Sequence, residues 1–373
     1  MIFFLLLAAT LAPAQTRRVT DEEVRRVHAS ALLIDTHNDV TSATVRGLDI
    51  APRRAEGHTD VARLREGGVG AVFFAAYVAA SYVNGNRSAN RALEMIDTIR
   101  RDIVDKHLSD FQFAVTADEI VAARKRGRVA ALIGIEGGHA IEDSPRLLRD
   151  FHALGVRYMT LTHSNHNNWA DSSGSQGAPN NGLSARGKEI VVEMNRIGMM
   201  VDISHVSDKT FWDVLEVSKA PPFASHSSCR AISNIPRNMT DEMIVALAKK
   251  GGVVQVNFGC EFLSQKSADA SPFGNPAVRG QPRETRPRVR AALADVVAHI
   301  DHIAKIAGVE AAGIGSDFDG VGCTPEGLDD VSKFPHLTRA LLEQGYSAPQ
   351  IRKIYGENLL RVMRAAEKAS RGQ

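Results

Sequence analysis

The sequence predicts an α/β protein folded as a (β/α)8 TIM barrel, and three observations carry that expectation. Eight short runs, Leu32 to Thr36, Val69 to Val78, Val129 to Ile135, Val156 to Thr162, Met199 to Ser204, Pro222 to Ser225, Gly252 to Phe258 and Ala312 to Ser316, are continuously apolar. Parallel strands covered on both faces read this way, whereas half-exposed strands alternate. Amphipathic helical patterns lie between the runs, and no linker divides the 373 residues, a length that one barrel accommodates.

Taken in order, the chain begins with an apolar stretch, Ile2 to Leu11, followed by Ala12-Pro13-Ala14, the small-x-small shape of a signal-peptidase site. Residues 1–14 are therefore expected to be a signal peptide and 15–373 a single TIM-barrel domain, exported to the periplasm or secreted. The leader is too short to span a bilayer, and the polar end from Lys368 to Gln373 lacks a lipid-anchor tail, so no stable membrane anchor is evident. A helix from Thr20 to Ala31 precedes the first strand. Ser144-Pro145 opens another with a cap and a first-turn proline, and Gly155 closes it; Ser184 to Gly198 and Thr240 to Gly251 repeat the plan. Ser207 and Asp208 start a helix whose Phe211, Trp212 and Leu215 form a core stripe, and a terminal helical pair follows from Ser347. Long insertions come after the first strand (Thr41 to His58), the fourth (Asn165 to Arg186) and the seventh (Glu261 to Arg288). In a barrel such loops gather on the carboxyl face and make candidate walls and lids.

The 45 basic residues nearly cancel the 43 acidic ones, which removes the usual electrostatic ground for nucleic acid or an anionic membrane as partner. Cys229, Cys260 and Cys323 lack the short spacing of a thiolate zinc site. Cys229 and Cys260 each follow a strand end, so a bridge between them is open in an oxidising compartment. The sequence also leaves a homodimer open.

Strand ends carry the chemistry. His37 and Asp39 stand two residues apart, so both leave the same face of an extended chain and can meet one cation; imidazole with carboxylate suits zinc or a similar divalent ion. Glu136 ends the third run, where a buried unpaired carboxylate calls for a cation. His205 and His226 end successive runs, near enough in a barrel to share an ion, with Glu136 able to bridge to the ion of His37 and Asp39. Asp317, the first carboxylate past the last strand, can take a proton from water and return it to a leaving amine; Asp319 has the same chemistry but also reads as a turn aspartate before Gly320.

These motifs, Asp35-Thr36-His37-Asn38-Asp39, Gly134-Ile135-Glu136-Gly137-Gly138, Leu161-Thr162-His163-Ser164, Asp202-Ile203-Ser204-His205, Ala224-Ser225-His226-Ser227-Ser228 and Gly315-Ser316-Asp317-Phe318-Asp319-Gly320-Val321, resemble the membrane (renal) dipeptidases. Those are binuclear zinc peptidases of the metal-dependent amidohydrolase superfamily. Asn358-Leu359-Leu360-Arg361-Val362 looks familial too, so the resemblance covers nearly the whole chain after the leader. It implies two Zn2+ per chain, one held by His37 and Asp39, the other by His205 and His226, with Glu136 shared where many relatives use a carboxylated lysine. It implies Asp317 as proton shuttle, His163 stabilising the developing oxyanion, and Arg237 gripping the terminal carboxylate of a free dipeptide. A hydroxide bridging the metals would attack the peptide carbonyl, and a D residue on the carboxyl side would be tolerated. The segment Ser164 to Trp169 lacks the cysteine of mammalian members, though Trp169 and Asp171 remain, and Phe258-Gly259-Cys260-Glu261-Phe262 is not the tyrosine-rich version; both leave side-chain preference open. Within enzymes the rival is another binuclear amidohydrolase acting on acylated amino acids or lactones. A catalytically silent metal-binding scaffold would lack a ligand or the shuttle, and here every position is filled.

Overall fold

The computed structural model describes residues 18–371 apart from 273, 279 and 282–288. The signal-peptide expectation, and part of the excursion between 261 and 288, fall outside those residues. Among the described residues there are nine strands: β1 (Leu33–Asn38), β2 (Val69–Tyr77), β3 (Phe111–Phe113), β4 (Val129–Glu136), β5 (Val156–Thr160), β6 (Met200–Asp202), β7 (Ala224–Ser227), β8 (Val254–Val256) and β9 (Ala312–Ile314). All pairings are parallel, in the orders β1-β2-β4-β5-β6 and β7-β8-β9. Single bridges join the two arcs, Asp202 with Phe223 and Asn38 with Phe318. At those seams Ile203 donates its N–H to Phe223 O (2.9 Å) and Asp39 donates to Phe318 O (2.9 Å), so eight strands close into the expected barrel.

The ninth, β3, was not legible as a strand. It pairs only with Val129–Ala131, along the edge of β4 that β5 takes up from Ile133 onward. Three residues are too few to show a period. Three barrel strands also extend past their apolar runs: β1 continues through His37 to Asn38, β4 takes in Glu136, and β7 takes in His226 and Ser227. Hydropathy stops where the polar mouth begins, whereas the backbone ladder continues.

The helix caps behave as read. The Thr20 hydroxyl accepts from Glu23 N–H (3.1 Å), and Ser144, Ser184, Ser207 and Thr240 cap the helices Pro145–Ala153, Ala185–Ile197, Asp208–Val217 and Asp241–Lys249. The terminal helix Asn358–Arg371 closes the amino-terminal end of the barrel. Leu359, Val362, Met363 and Ala366 join one apolar cluster with the strand residues Ile34, Phe73, Leu132, Met200, Phe223 and Val253, and Asn358 donates to Ala312 O (2.9 Å). Among the described residues no helix is long and apolar enough to cross a membrane.

The cysteine reading is corrected. The bridge joins Cys260 to Cys323 (Cα–Cα 5.5 Å), tying the exit of β8 to the turn after β9, while Cys229 is buried and free. Cys229 lies against the helix Leu293–Ala307, where its N–H donates to His299 Nδ1 (3.0 Å) and its sulfur faces His299 O (3.7 Å).

Tyr158 reaches across the barrel interior from β5, and its ring occupies the space beside Gly134: a Cβ there would lie 1.9 Å from Tyr158 Cζ. Gly134→Ala should therefore overpack the barrel and cost about 1–3 kcal/mol, read as a lowered urea midpoint with an unchanged m-value.

Candidate metal centre

The strand ends bring seven of the eight sequence-chosen side chains to one place. His37 comes from within β1, Asp39 from just past it, Glu136 from the last residue of β4, His226 from within β7; His163, His205 and Asp317 stand on the turns after β5, β6 and β9. Glu136 is central. Its Oε2 faces His37 Nε2 (3.7 Å), while Oε1 faces His205 Nε2 (3.0 Å), His226 Nε2 (3.4 Å) and His163 Nε2 (3.8 Å). His37 Nε2 also lies 3.2 Å from Asp39 Oδ2, and the Nε2 atoms of His205 and His226 face each other at 3.0 Å. Donor atoms converge within 4.8 Å in three overlapping groups: His37, Asp39 and Asp317; His37, Glu136 and His226; Glu136, His163 and His205.

This donor set fits divalent cations. His37 Nε2 is buried without a hydrogen-bond partner, an expensive state for a polar atom that coordination relieves. Burial disfavours a negative Glu136, but the imidazoles of His163, His37, His205 and His226 outweigh it and hold its carboxyl well below the usual range. Burial, with Arg237 among the neighbouring positive groups, pushes His205 and His226 well below the usual imidazole range, leaving neutral rings with lone pairs to offer. Asp317 is shifted the other way: burial raises it well above the ordinary carboxylate range, with Asp39 and Glu136 adding to the effect and His37 opposing it. The two carboxylates Glu136 and Asp317 thus differ in proton affinity, the first held ionised and the second favouring its proton.

Several supports were not legible in advance. Tyr158 donates its hydroxyl to Thr36 O (3.0 Å), so at the 2.8 Å contact with His37 Nδ1 the proton sits on the ring, and it is Nε2 that faces the centre. His226 is fixed in the same sense: Ser225 Oγ donates to Asp202 Oδ2 (2.6 Å) and accepts from His226 Nδ1 (2.6 Å). Asp202, fully buried, also accepts from Ser225 N–H (2.8 Å), Ser204 N–H (3.0 Å) and the Thr160 hydroxyl. Asn257, just past β8, donates Nδ2 to Asp317 Oδ2 (2.7 Å) and accepts from Gly259 N–H (2.6 Å) on its Oδ1. A polar residue closing the strand Gly252 to Phe258 was the one signal available for it.

Arg237, on the turn after β7, is buried beside the centre. It donates to Ser227 Oγ and His226 O (2.8 Å each), its Nε has no partner, and Phe262 covers it at 5.6 Å. Burial lowers it to about 10, opposed by Asp317 and Glu136, so it stays cationic at neutral pH.

A cavity of about 1260 Å3 opens over the centre, with Asp39, Tyr77, Glu136, His163, His205 and Asp317 on its floor. The first insertion supplies Ser42 and His58 to its wall, and the third supplies Phe262, Ser267 and Pro272, as expected of them. The middle insertion contributes less. Ser164, just before it, lines the cavity, whereas Asp171 is spent on the loop itself, accepting from Gly182 N–H (2.8 Å) and Asn180 N–H (3.1 Å), and Trp169 is fully buried.

Compared with known proteins, residues 21–373 match the family described as membrane dipeptidase, peptidase family M19. The chain belongs to that family. Among its relatives, the dipeptidase verJ of Clonostachys rogersoniana is 40% identical over 363 residues, covering 92% of this chain and 86% of the relative. An uncharacterized dipeptidase of Schizosaccharomyces pombe is 37% identical over 373 residues, covering 95% and 85%. In solved structures, a metallo peptidase from Rhodobacter sphaeroides, liganded with a phosphinate mimic of the dipeptide L-Ala-D-Ala, superposes with TM-score 0.77 at 27% identity, over 90% of this chain and 99% of that one. The protein is accordingly a metal-dependent dipeptidase, a hydrolase.

Tyr158→Phe keeps the buried ring and removes only the acceptor for His37. Metal should then be held about 10- to 100-fold more weakly, measured by chelator competition on the folded protein rather than by activity.

Proposed function

We propose that this dipeptidase is a two-zinc enzyme of residues 15–373, exported behind a leader of residues 1–14, that hydrolyses free dipeptides and accepts a D residue on the carboxyl side. The observation that carries the two-metal reading is the position of Glu136, with one oxygen toward His37 and the other toward His205 and His226. One zinc would be held by His37 and Asp39, the second by His205 and His226, with Glu136 common to both. Bound there, the zinc pair would acidify a water into the attacking hydroxide and polarise the scissile carbonyl.

The protein's own groups would do the rest. Arg237 orients the substrate through its carboxylate, a planar acceptor that suits a guanidinium. His163 lies 3.8 Å from Glu136 and is partly exposed to the cavity, where its ring can steady negative charge growing on the carbonyl oxygen. Asp317, held through one oxygen by Asn257, takes the proton of the attacking water and passes it to the departing amine. No covalent bond between protein and substrate is required.

The D-residue reading is supported by the Rhodobacter sphaeroides relative and its L-Ala-D-Ala mimic. Export is supported by the apolar run Ile2 to Leu11 ahead of Ala12-Pro13-Ala14, and by the Cys260–Cys323 bridge, since disulfides persist in oxidising compartments. The buried Arg237 favours carboxylate-bearing substrates over lactones.

Purified protein should contain about two equivalents of zinc and lose activity on chelation. A panel of L,L and L,D dipeptides, their amides, N-acyl amino acids and lactones should show turnover of free dipeptides of both kinds, and preference for lactones or acyl amino acids would replace this reading with the rival amidohydrolase one. Asp317→Asn should retain metal and lose about 10^2- to 10^4-fold in kcat; full activity in that variant would remove the shuttle assignment.

A further inference from the structure

The turn after β9 holds two non-glycine residues in the left-handed region, Asp317 (φ 61°) and Asp319 (φ 67°), on either side of Phe318. L side chains avoid this conformation, and it persists only where surrounding contacts over-determine it. On one side the contacts come from β1 and the turn itself: Asp317 N–H donates to His37 O (3.0 Å), Asp39 N–H to Phe318 O (2.9 Å), and Phe318 N–H to Ser316 Oγ (3.1 Å). None of these touches Asp319.

Asp319 is held instead by His58, from the insertion after β1. His58 Nδ1 accepts from Asp319 N–H (2.8 Å), and Asp319 Oδ1 accepts from His58 N–H (2.7 Å). The two residues close a reciprocal ring across 261 positions of sequence. Its far side is anchored. His58 O accepts from Val331 N–H (3.2 Å), Gly57 O accepts from Arg63 (2.8 Å), and Arg63 is in turn paired with Asp60 (2.6 Å). Gly57 (φ +73°) sits in the left-handed region that favours glycine, and a Cβ there would lie 2.8 Å from Asp319 Oδ1. The acceptor role requires a bare Nδ1, and burial, opposed by Asp319 and reinforced by Arg63, keeps the ring below its usual proton affinity.

We infer that His58 and Asp319 are positioning residues for the proton shuttle: their mutual hydrogen bonds lock the turn after β9 in the left-handed geometry that presents Asp317 to Asp39 and Asn257. Of the two aspartates that the sequence left as carriers of the proton, this gives Asp319 the supporting part. Asp317 converges with His37 and Asp39 among the donor atoms of the centre, whereas Asp319 belongs to none of those groups among the described residues and gives its Oδ1 to the His58 N–H. The inference rests on the reading of Asp317 as shuttle.

The test compares His58→Ala, which removes the acceptor, with His58→Asn, whose side-chain oxygen can take the place of Nδ1. His58→Ala should lower kcat about 10- to 100-fold while KM stays within about threefold and zinc content is unchanged, as expected when a reacting group is displaced by around 1 Å. His58→Asn should recover most of the loss. Asp319→Gly, which suits the backbone but lacks the oxygen, should reproduce the loss, and Asp319→Asn should not; this pair decides the matter if His58→Ala fails to fold. Unchanged kcat in both His58→Ala and Asp319→Gly, or losses that follow zinc content, or failure of both conservative variants to recover, would overturn the inference. If Asp317→Asn is itself fully active, the shuttle reading fails instead, and the two failures are told apart by that variant alone.

Discussion

A carboxylate buried at the end of β4 governs this molecule. Glu136 is 4% exposed and its oxygens meet four imidazoles, so the surrounding residues are arranged about a negative charge that the barrel has withdrawn from water. An isolated ion in that position would be prohibitively costly; against burial, Tyr158, Asp39 and Glu136 draw His37 well above the usual imidazole range, while burial keeps His205 and His226 well below it with lone pairs to offer. Cations complete the account. The supports follow from it: Tyr158 and the Ser225–Asp202 pair each occupy a ring Nδ1, so that His37 and His226 present their other nitrogen to the same carboxylate.

A barrel suits such a centre because its parallel strands all end at one face. Residues distant in sequence are delivered side by side by the hydrogen-bond ladder, without long side chains having to search for each other. The cost appears in the backbone. His205, Asp317 and Asp319 are left-handed although none is glycine, at about 1–3 kcal/mol each. Local contacts hold each of them, such as Ser173 N–H on His205 O (2.8 Å).

Much of this was legible in the sequence, and the boundary of legibility is physical. Buried strands announce themselves as apolar runs, and a ligand at a strand end announces itself as a polar residue where the run stops; hence the eight barrel strands and His37, Glu136, His205, His226 and Asp317 could be read. Residues that act from inside an apolar run could not. Tyr158 looks like any aromatic in an apolar strand, and Gly134 like any small residue beside it; only their contact across the barrel shows that one makes room for the other. Pairings between loops were equally hidden. Nothing near Cys260 marks Cys323, 63 positions away, as its partner, and nothing near His58 points to Asp319.

The seam between β1 and the turn after β9 has one more implication. Ser316 N–H donates to Asp35 Oδ1 (2.8 Å) across 281 residues, and the same seam sets His37 and Asp39 beside Asp317. During synthesis the earliest of these groups leaves the ribosome long before the latest, and until both are present the ring of strands stays open. Metal can therefore be captured in its finished setting only by a polypeptide in which the turn after β9 has already been made.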